Sequence, residues 1–386
     1  MIARTMQKKL LFLSERFPVV SVNGPRQSGK TTLVKHCFPE KKYVSLELPD
    51  NRRFAEEDPQ GFLLTYDDAV IDEVQYVPEL FSYIQVIVDA KNKPGQYILT
   101  GSQNFLLSEK ISQSLAGRVA VLTLLPFSCS EISTESYARY ETLLYKGFYP
   151  RMYDYDIPPR DFYASYLQTY IERDVRMIRN IGDLSRFHLF LKLCAGRTGQ
   201  LLNYSSLAGE CGISHTTATQ WMSVLEASYI VFLLRTHHKN FKKRLVKMPK
   251  LYFYDTGLAC YLLDIQMSSQ LETHYSRGAL FESFVISEFQ KEQYNRGQAP
   301  NFYFWRDKHG HEVDCLIDRG GSIQPVEIKS GRTVNSKFFI PLRYWQKLSG
   351  SKATPVVIYG GDTYQSRNGV ELLPWKDVSE ALDLGK

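Results

Sequence analysis

The sequence predicts an α/β chain built from several domains, and three observations predict it. A complete G-x-x-x-x-G-K-[ST] loop, Gly24-Pro25-Arg26-Gln27-Ser28-Gly29-Lys30-Thr31, follows the apolar run 17–22 and opens a helix-like stretch. Strand and helix signals alternate from there to about residue 127, the pattern of a parallel sheet with helices on both faces. Far downstream, Asp314 on one apolar strand precedes Glu327-Ile328-Lys329 on another, with a helix before both, so a second α/β region closes the chain.

The loop's chemistry follows from its position. Between a strand and a helix, its backbone N–H groups turn inward around phosphates, and the helix dipole favours the anion. Residues Gly24, Pro25, Arg26, Gln27, Ser28, Gly29, Lys30, Thr31 and Thr32 form the expected nucleotide-binding set. Lys30 reaches the β- and γ-phosphates, and the Thr31 hydroxyl holds Mg²⁺. A turn can carry such a lysine by chance, but the flanking strand and helix argue against that.

The segment Asp67-Asp68-Ala69-Val70-Ile71-Asp72-Glu73 has two acidic pairs, and only the second closes an apolar strand. Asp72 is expected behind the Mg²⁺, and Glu73 is expected to polarise the attacking water. Asp67 and Asp68 precede the strand and read as turn residues. The strand 96–101 ends in Gly101-Ser102-Gln103-Asn104, which places Ser102 and Gln103 near the γ-phosphate. A guanine-selective N-K-x-D is absent, because Asn92-Lys93 runs into Pro94-Gly95, so ATP is expected over GTP. Arg118 opens the next apolar run, either as a solvated edge residue or as an arginine finger completing a neighbour's site in a homo-oligomer.

The order GPRQSGKTT, AVIDEVQ, ILTGSQNF and SLAGRV resembles the N-terminal ATPase domain of a large bacterial and archaeal AAA+-type family whose C-terminal domain is of unknown function. The segments Gly147-Phe148-Tyr149-Pro150, Tyr170-Ile171-Glu172-Arg173-Asp174 and Tyr252 to Leu258 also resemble landmarks of that family.

With 386 residues, 44% hydrophobic and 23% charged, the chain has room for two or three domains with proper cores. The net charge of +6 permits nucleic acid without requiring it. Six scattered cysteines lack any C-x-x-C pair, so they read as reduced core thiols rather than a zinc site or disulfide framework. No run approaches the length of a membrane span, and a cytoplasmic protein without membrane contact is expected.

Residues 205–211, a Gly212-containing turn, 215–227 and the run 229–234 read as helix, turn, helix and strand, a winged helix. The next stretch holds Arg235, Lys239, Lys242, Lys243, Arg244, Lys247 and Lys250 and no acid. With His215, Thr216, Thr217, Thr219 and Gln220 on the second helix, DNA is the expected partner. A solvated basic loop beside a protein-binding winged helix is the alternative.

From residue 278 an amphipathic helix containing Glu282 precedes strands at 302–306, 313–317 and 325–329. Glu327 and Lys329 share a face because strand side chains alternate. The helix Glu, the strand Asp and the E-x-K pair resemble the PD-(D/E)XK nuclease core. That resemblance implies a divalent metal, Mg²⁺ or Mn²⁺, on Asp314 and Glu327 with help from Glu282, and a catalytic Lys329. His309 and His311 read as a polar turn rather than a metal site.

The expected organisation is thus an AAA+-type P-loop domain (1–127), a helical lid or linker (128–190), a winged helix (191–255) and a restriction-endonuclease-like α/β domain (256–386). Two functions fit. ATP state could control DNA engagement, with metal-dependent cleavage by the C-terminal domain; or ATP could drive an assembly switch in which the last two domains are protein-binding scaffolds.

Overall fold

The computed structural model describes residues 2–102, 114–134, 137–171, 183–237 and 246–384. The chain forms two compact units, the first of residues 1–127 with 227–229 and 293–299, the second of 128–226, 230–292 and 300–386.

In the first unit, β1 (Val19–Asn23), β2 (Lys42–Ser45), β3 (Ala69–Asp72), β4 (Tyr97–Gly101) and β5 (Val119–Thr123) form one sheet in the order β2-β3-β4-β1-β5. Every pairing is parallel, as the strand–helix alternation predicts. Alternate residues of the same strands feed two cores, as a two-residue period requires. Val20, Val22, Val70 and Ile98 pack with Leu10 of α1 (Gln7–Ser14) and with Leu33 and Val34 of α2 (Lys30–Cys37). Val19, Ile71 and Leu99 pack on the other face with α4 (Pro59–Thr65) and α5 (Leu80–Lys91). Helix α3 (Pro49–Glu57) and α4 occupy a stretch where the sequence reading placed no element. Each begins with proline at its first turn, and the Asp58 carboxylate accepts from Gly61 N at 2.9 Å to cap α4. Asp67 and Asp68 lie in the expected turn, paired with Lys91 at 2.5 Å and with Lys41 and Lys93.

The second unit opens with short helices α6 (Tyr140–Lys146), α7 (Pro150–Asp154) and α8 (Pro159–Tyr166). Three more follow, α9 (Leu184–Gly196), α10 (Tyr204–Cys211) and α11 (His215–Ala227), then an antiparallel hairpin of β6 (Val231–Leu234) and β7 (Lys250–Phe253). Asn203 caps α10, Gly212 ends it at φ 64°, and the Ser214 hydroxyl accepts from Thr217 N at 3.0 Å to start α11. Trp221 of α11 meets Phe187 and Phe190 of α9 edge-on. A bridge from Leu201 to Lys250 adds the α9–α10 connection to the hairpin.

After α12 (Thr256–Leu262), helix α13 (Arg277–Asn295) precedes a mixed sheet of β8 (Phe302–Arg306), β9 (Glu312–Asp318), β10 (Ile323–Lys329), β11 (Val356–Tyr359), β12 (Gln365–Arg367) and β13 (Val370–Pro374), in the order β12-β13-β11-β10-β9-β8. Helix α14 (Ile340–Ser349) covers one face through Leu342 and Trp345. The expected amphipathic helix at α13 is instead buried nearly all round from Leu280 to Glu292. Its polar residues are paired rather than solvated: Lys291 bonds Glu288 at 2.7 Å, and Glu288 accepts from Cys129 N at 2.6 Å.

Two sequence landmarks of unassigned role meet here. The buried Asp255 carboxylate caps α12 through Leu258 N at 2.9 Å, accepts Phe148 N at 2.8 Å and accepts the Tyr163 hydroxyl at 2.6 Å. Gly147 sits against this knot at φ 73°, where a Cβ would stand 1.9 Å from the Tyr163 hydroxyl. Asp255→Ala strands three buried donors at once, and we expect a loss of about 3 kcal/mol or more of stability, read by urea denaturation.

Candidate functional site

The phosphate loop leaves the C-terminal end of β1. Gly24 has φ 149°, and a Cβ on it would lie 2.1 Å from the Leu124 carbonyl oxygen, so no other residue fits there. Gln27 and Gly29 also take positive φ, 60° and 92°, which curls the backbone before α2 begins at Lys30. Arg4 fixes the loop from behind, donating to the carbonyls of Ser28 at 2.6 Å and Leu125 at 2.7 Å. The Lys30 ammonium is held over the loop by the Gly24 and Pro25 carbonyls at 3.0 and 2.8 Å. Arg26 reaches Glu47 at 3.4 Å and the Tyr76 hydroxyl at 3.5 Å. The fully buried Ser28 hydroxyl has no hydrogen-bond partner among the described residues, and Thr32 is exposed.

Strand β4 lies between β1 and β3, and its end supplies the groups that connect them. The Asp72 carboxylate accepts three hydroxyls: Thr31 at 3.2 Å, Tyr43 at 2.6 Å and Thr100. Thr31 and Asp72 thus place hard oxygen donors side by side, the set that fits Mg²⁺. Burial, and then the hydrogen bond to Asp72, push the Tyr43 phenol well above its usual pKa, so it remains a donor. Glu73 takes the left-handed conformation at φ 57°, ψ 46°, costly for a residue with a Cβ and concentrated at functional sites. Its carboxylate accepts the Ser102 hydroxyl at 2.8 Å and the Gln75 amide. Lys30, Thr31, Asp72, Glu73 and Ser102 therefore converge; Gln103 lies outside the described residues. Tyr43, Gln75 and Thr100 belong to the same cluster; Gln75 and Thr100 lie inside the AVIDEVQ and ILTGSQNF segments without an assigned role there, and no sequence signal marks Tyr43.

Arg118 stands apart from this cluster. It is held by Asp89 of α5, with its Nη2 at 2.8 Å from Oδ2 and its Nη1 at 3.0 Å from the Ala116 carbonyl.

At the C-terminal site the structure brings Asp314, Glu327 and Lys329 together. The Lys329 ammonium stands 3.1 Å from Asp314 and 2.5 Å from Glu327, and Asp314 also accepts Ile328 N at 2.8 Å. Glu282 stands within electrostatic reach of Asp314 and Glu327, while its own hydrogen bonds come from Lys250 at 2.9 Å and the Tyr252 hydroxyl at 2.5 Å. Burial opposes the Lys250 charge, but Glu282, Asp314 and Glu312 outweigh it and push its pKa up. Among the described residues no three carboxylate, imidazole or thiol groups are arranged to hold a metal ion. His311 pairs with Asp307 at 3.0 Å in a polar turn, as expected. The basic residues Lys239, Lys242, Lys243 and Arg244 lie outside the described residues.

Residues 16–133 match the AAA domain family, and residues 137–269 and 277–378 match two domains of unknown function, DUF8612 and DUF4143. The uncharacterized protein Rv2008c of Mycobacterium tuberculosis is 31% identical over 328 residues, covering 82% of this chain and 71% of its own length. The chain belongs to that family. The uncharacterized protein Mb2031c of Mycobacterium bovis matches over the same span at the same identity. Among solved structures, the Walker-type ATPase PABY2304 of Pyrococcus abyssi is 15% identical with a TM-score of 0.42, covering 68% of this chain and 96% of that one. AMPPCP-bound DnaA from Aquifex aeolicus is 14% identical with a TM-score of 0.30, covering 57% and 85%. The family match makes residues 16–133 an AAA domain, and the parallel P-loop core read from the sequence stands. No helix among the described residues is long and apolar enough to cross a membrane.

Burial first, then the Asp314 charge, push the Glu327 carboxyl from 4.5 up to about 8 against the pull of Lys329. Between those two values the folded chain keeps a proton that the unfolded chain has released, so this group's contribution to stability falls as pH rises. The urea midpoint should drop from pH 5 to pH 8, and Glu327→Gln should flatten that drop.

Proposed function

We propose that this protein is an ATP-hydrolysing switch in which the nucleotide state of the AAA domain governs how the second unit engages DNA. The observation behind it is the convergence of Lys30, Thr31, Asp72 and Glu73 at the C-terminal ends of β1 and β3. Lys30 and the loop N–H groups bind the β- and γ-phosphates, and the buried Ser28 hydroxyl, without a hydrogen-bond partner among the described residues, is a further donor. Thr31 and Asp72 hold Mg²⁺, which neutralises charge on the phosphates when bound. Glu73 accepts the proton of the attacking water. Lys30→Ala should therefore abolish ATP binding in calorimetry. Glu73→Gln should bind ATP normally and turn over at least about 100-fold more slowly. Unimpaired turnover in that variant assigns the base elsewhere.

For the second unit, helices α9 to α11 with the β6–β7 hairpin support the winged-helix reading, and His215 and Thr216 are exposed at the start of α11. The basic connection between the two hairpin strands is suited to phosphate contact. Full-length protein should bind duplex DNA with an affinity that falls at least about tenfold between 50 and 200 mM salt, read by fluorescence anisotropy. Salt-independent binding, or none, overturns the DNA reading.

A second reading, that the C-terminal region is a nuclease-like scaffold that does not cut, is favoured by one arrangement. Lys329 already ion-pairs with Asp314 and contacts Glu327, and Lys250 pairs with Glu282. Incubation of supercoiled plasmid with the protein, ATP and Mg²⁺ or Mn²⁺ separates the two. Nicking abolished by Asp314→Ala establishes cleavage, and intact plasmid establishes the scaffold.

A further inference from the structure

We infer that Gln75 is a catalytic residue of the ATP site, holding the attacking water jointly with Glu73. The inference rests on the proposed ATP hydrolysis and adds to it a residue that neither the phosphate loop nor the acidic pair contains.

The backbone brings Gln75 to the site. Glu73 in its left-handed conformation reverses the chain at the end of β3, and the 3₁₀ turn Val74–Tyr76 that follows returns the Gln75 side chain beside the Glu73 carboxylate. The next residue, Tyr76, accepts Arg26 of the phosphate loop at 3.5 Å, so the turn lies against the loop that cradles the γ-phosphate. The orientation of the Gln75 amide is settled by its neighbour, since an ionised carboxylate only accepts. Nε2 faces Glu73 and lies 3.3 Å from the Ser102 hydroxyl oxygen, which leaves Oε1 as the free end.

That free end carries the argument. Gln75 is 7% exposed, and its Oε1 has no hydrogen-bond partner among the described residues. A buried carbonyl without a donor is destabilising, which a protein sustains where a ligand supplies the donor. A water there has two O–H bonds for two acceptors, the Glu73 carboxylate and Gln75 Oε1, and turns a lone pair to the γ-phosphorus. In the step itself the water oxygen bonds to that phosphorus, and the bond between the γ-phosphorus and the β–γ bridging oxygen breaks. The electron pair leaves with ADP, and the water proton passes to Glu73. Gln75 is not consumed and changes no charge; it fixes where the water stands.

The test is Gln75→Met, which keeps the length and apolar stem of the side chain and removes the acceptor. We expect kcat for ATP to fall about 10- to 100-fold, the loss that follows from a misplaced nucleophile. Affinity for ADP with aluminium fluoride, which mimics the attacked phosphoryl group, should fall by a similar factor. Affinities for ADP alone and for a non-hydrolysable ATP analogue should stay within about twofold of wild type. Gln75→Asn, which withdraws the same amide by one methylene, should behave likewise, and it decides the matter if the Met variant does not bind nucleotide. Unchanged kcat, or a parallel loss of affinity for all three ligands, overturns the inference and makes Gln75 a packing residue. Wild-type protein that binds ATP without hydrolysing it overturns the hydrolysis reading itself, a result separate from equal turnover in wild type and variant.

Discussion

The site in the first unit depends on the single strand inserted between β1 and β3. Neighbouring strands lie about 4.8 Å apart, so the phosphate loop and the acidic pair end up about 10 Å from each other across β4. Side chains from several elements close that gap. Helix α2 leans the Thr31 hydroxyl toward Asp72 from one side, and β4 fills the space with Thr100 on Asp72 and Ser102 near Glu73. Tyr43 completes the ring from β2, where it pairs in register with Val70 and reaches the residue two positions further along the neighbouring strand. Both Asp72 oxygens and Glu73 Oε2 are thus held by hydroxyls from α2, β2, β4 and the residue after β4. The strained backbone at Glu73 is held by these contacts to Asp72 before it and to its own carboxylate.

Burial of charge organises the second unit in a different manner. Helix α13 places Glu288 and Lys291 in the interior, where each compensates the other and Glu288 also accepts a backbone N–H, the condition under which buried ions are tolerated. The same rule shapes the C-terminal cluster. Lys250 arrives on β7 from the hairpin and bridges Glu282 of α13 to Glu312 of β9, while Lys329 bridges Asp314 to Glu327. Lys329 thus stands between the two carboxylates where the E-x-K resemblance places it, and Glu282 pairs with the hairpin lysine. The hairpin that follows the three helices and the carboxylate strands are in this way one charged network within the unit.

Some elements were legible in the residues themselves. The strand 302–306 and the helix 215–227 have the bounds the reading gave them, because aromatic and β-branched runs and a Gly turn punctuate them directly. Helices α3 and α4 were signalled too, by Leu48-Pro49 and Asp58-Pro59, a proline at the first turn preceded in one case by a capping carboxylate. Those signals are local and were masked by the mixed polarity of the segment. The periodicity of α13 misled for the opposite reason: polar residues along a helix normally mark its solvent face, and here they are buried in pairs that periodicity cannot register.

The sequence by itself determined the phosphate loop, its strand and helix, the acidic pair and the parallel sheet. Each of these is a requirement on consecutive residues: glycine where φ is positive, lysine and threonine at fixed offsets, carboxylates at a strand end. Only the tertiary structure decided which partners those groups have. Tyr43, Gln75 and Thr100 join the site from 29 residues before Asp72, two residues after Glu73 and 28 residues after Asp72. Lys250 claims Glu282 from 32 residues away. Hydrogen bonds and ion pairs act over about 3 Å of space regardless of distance along the chain, so their assignment waits on the packing that brings the strands together.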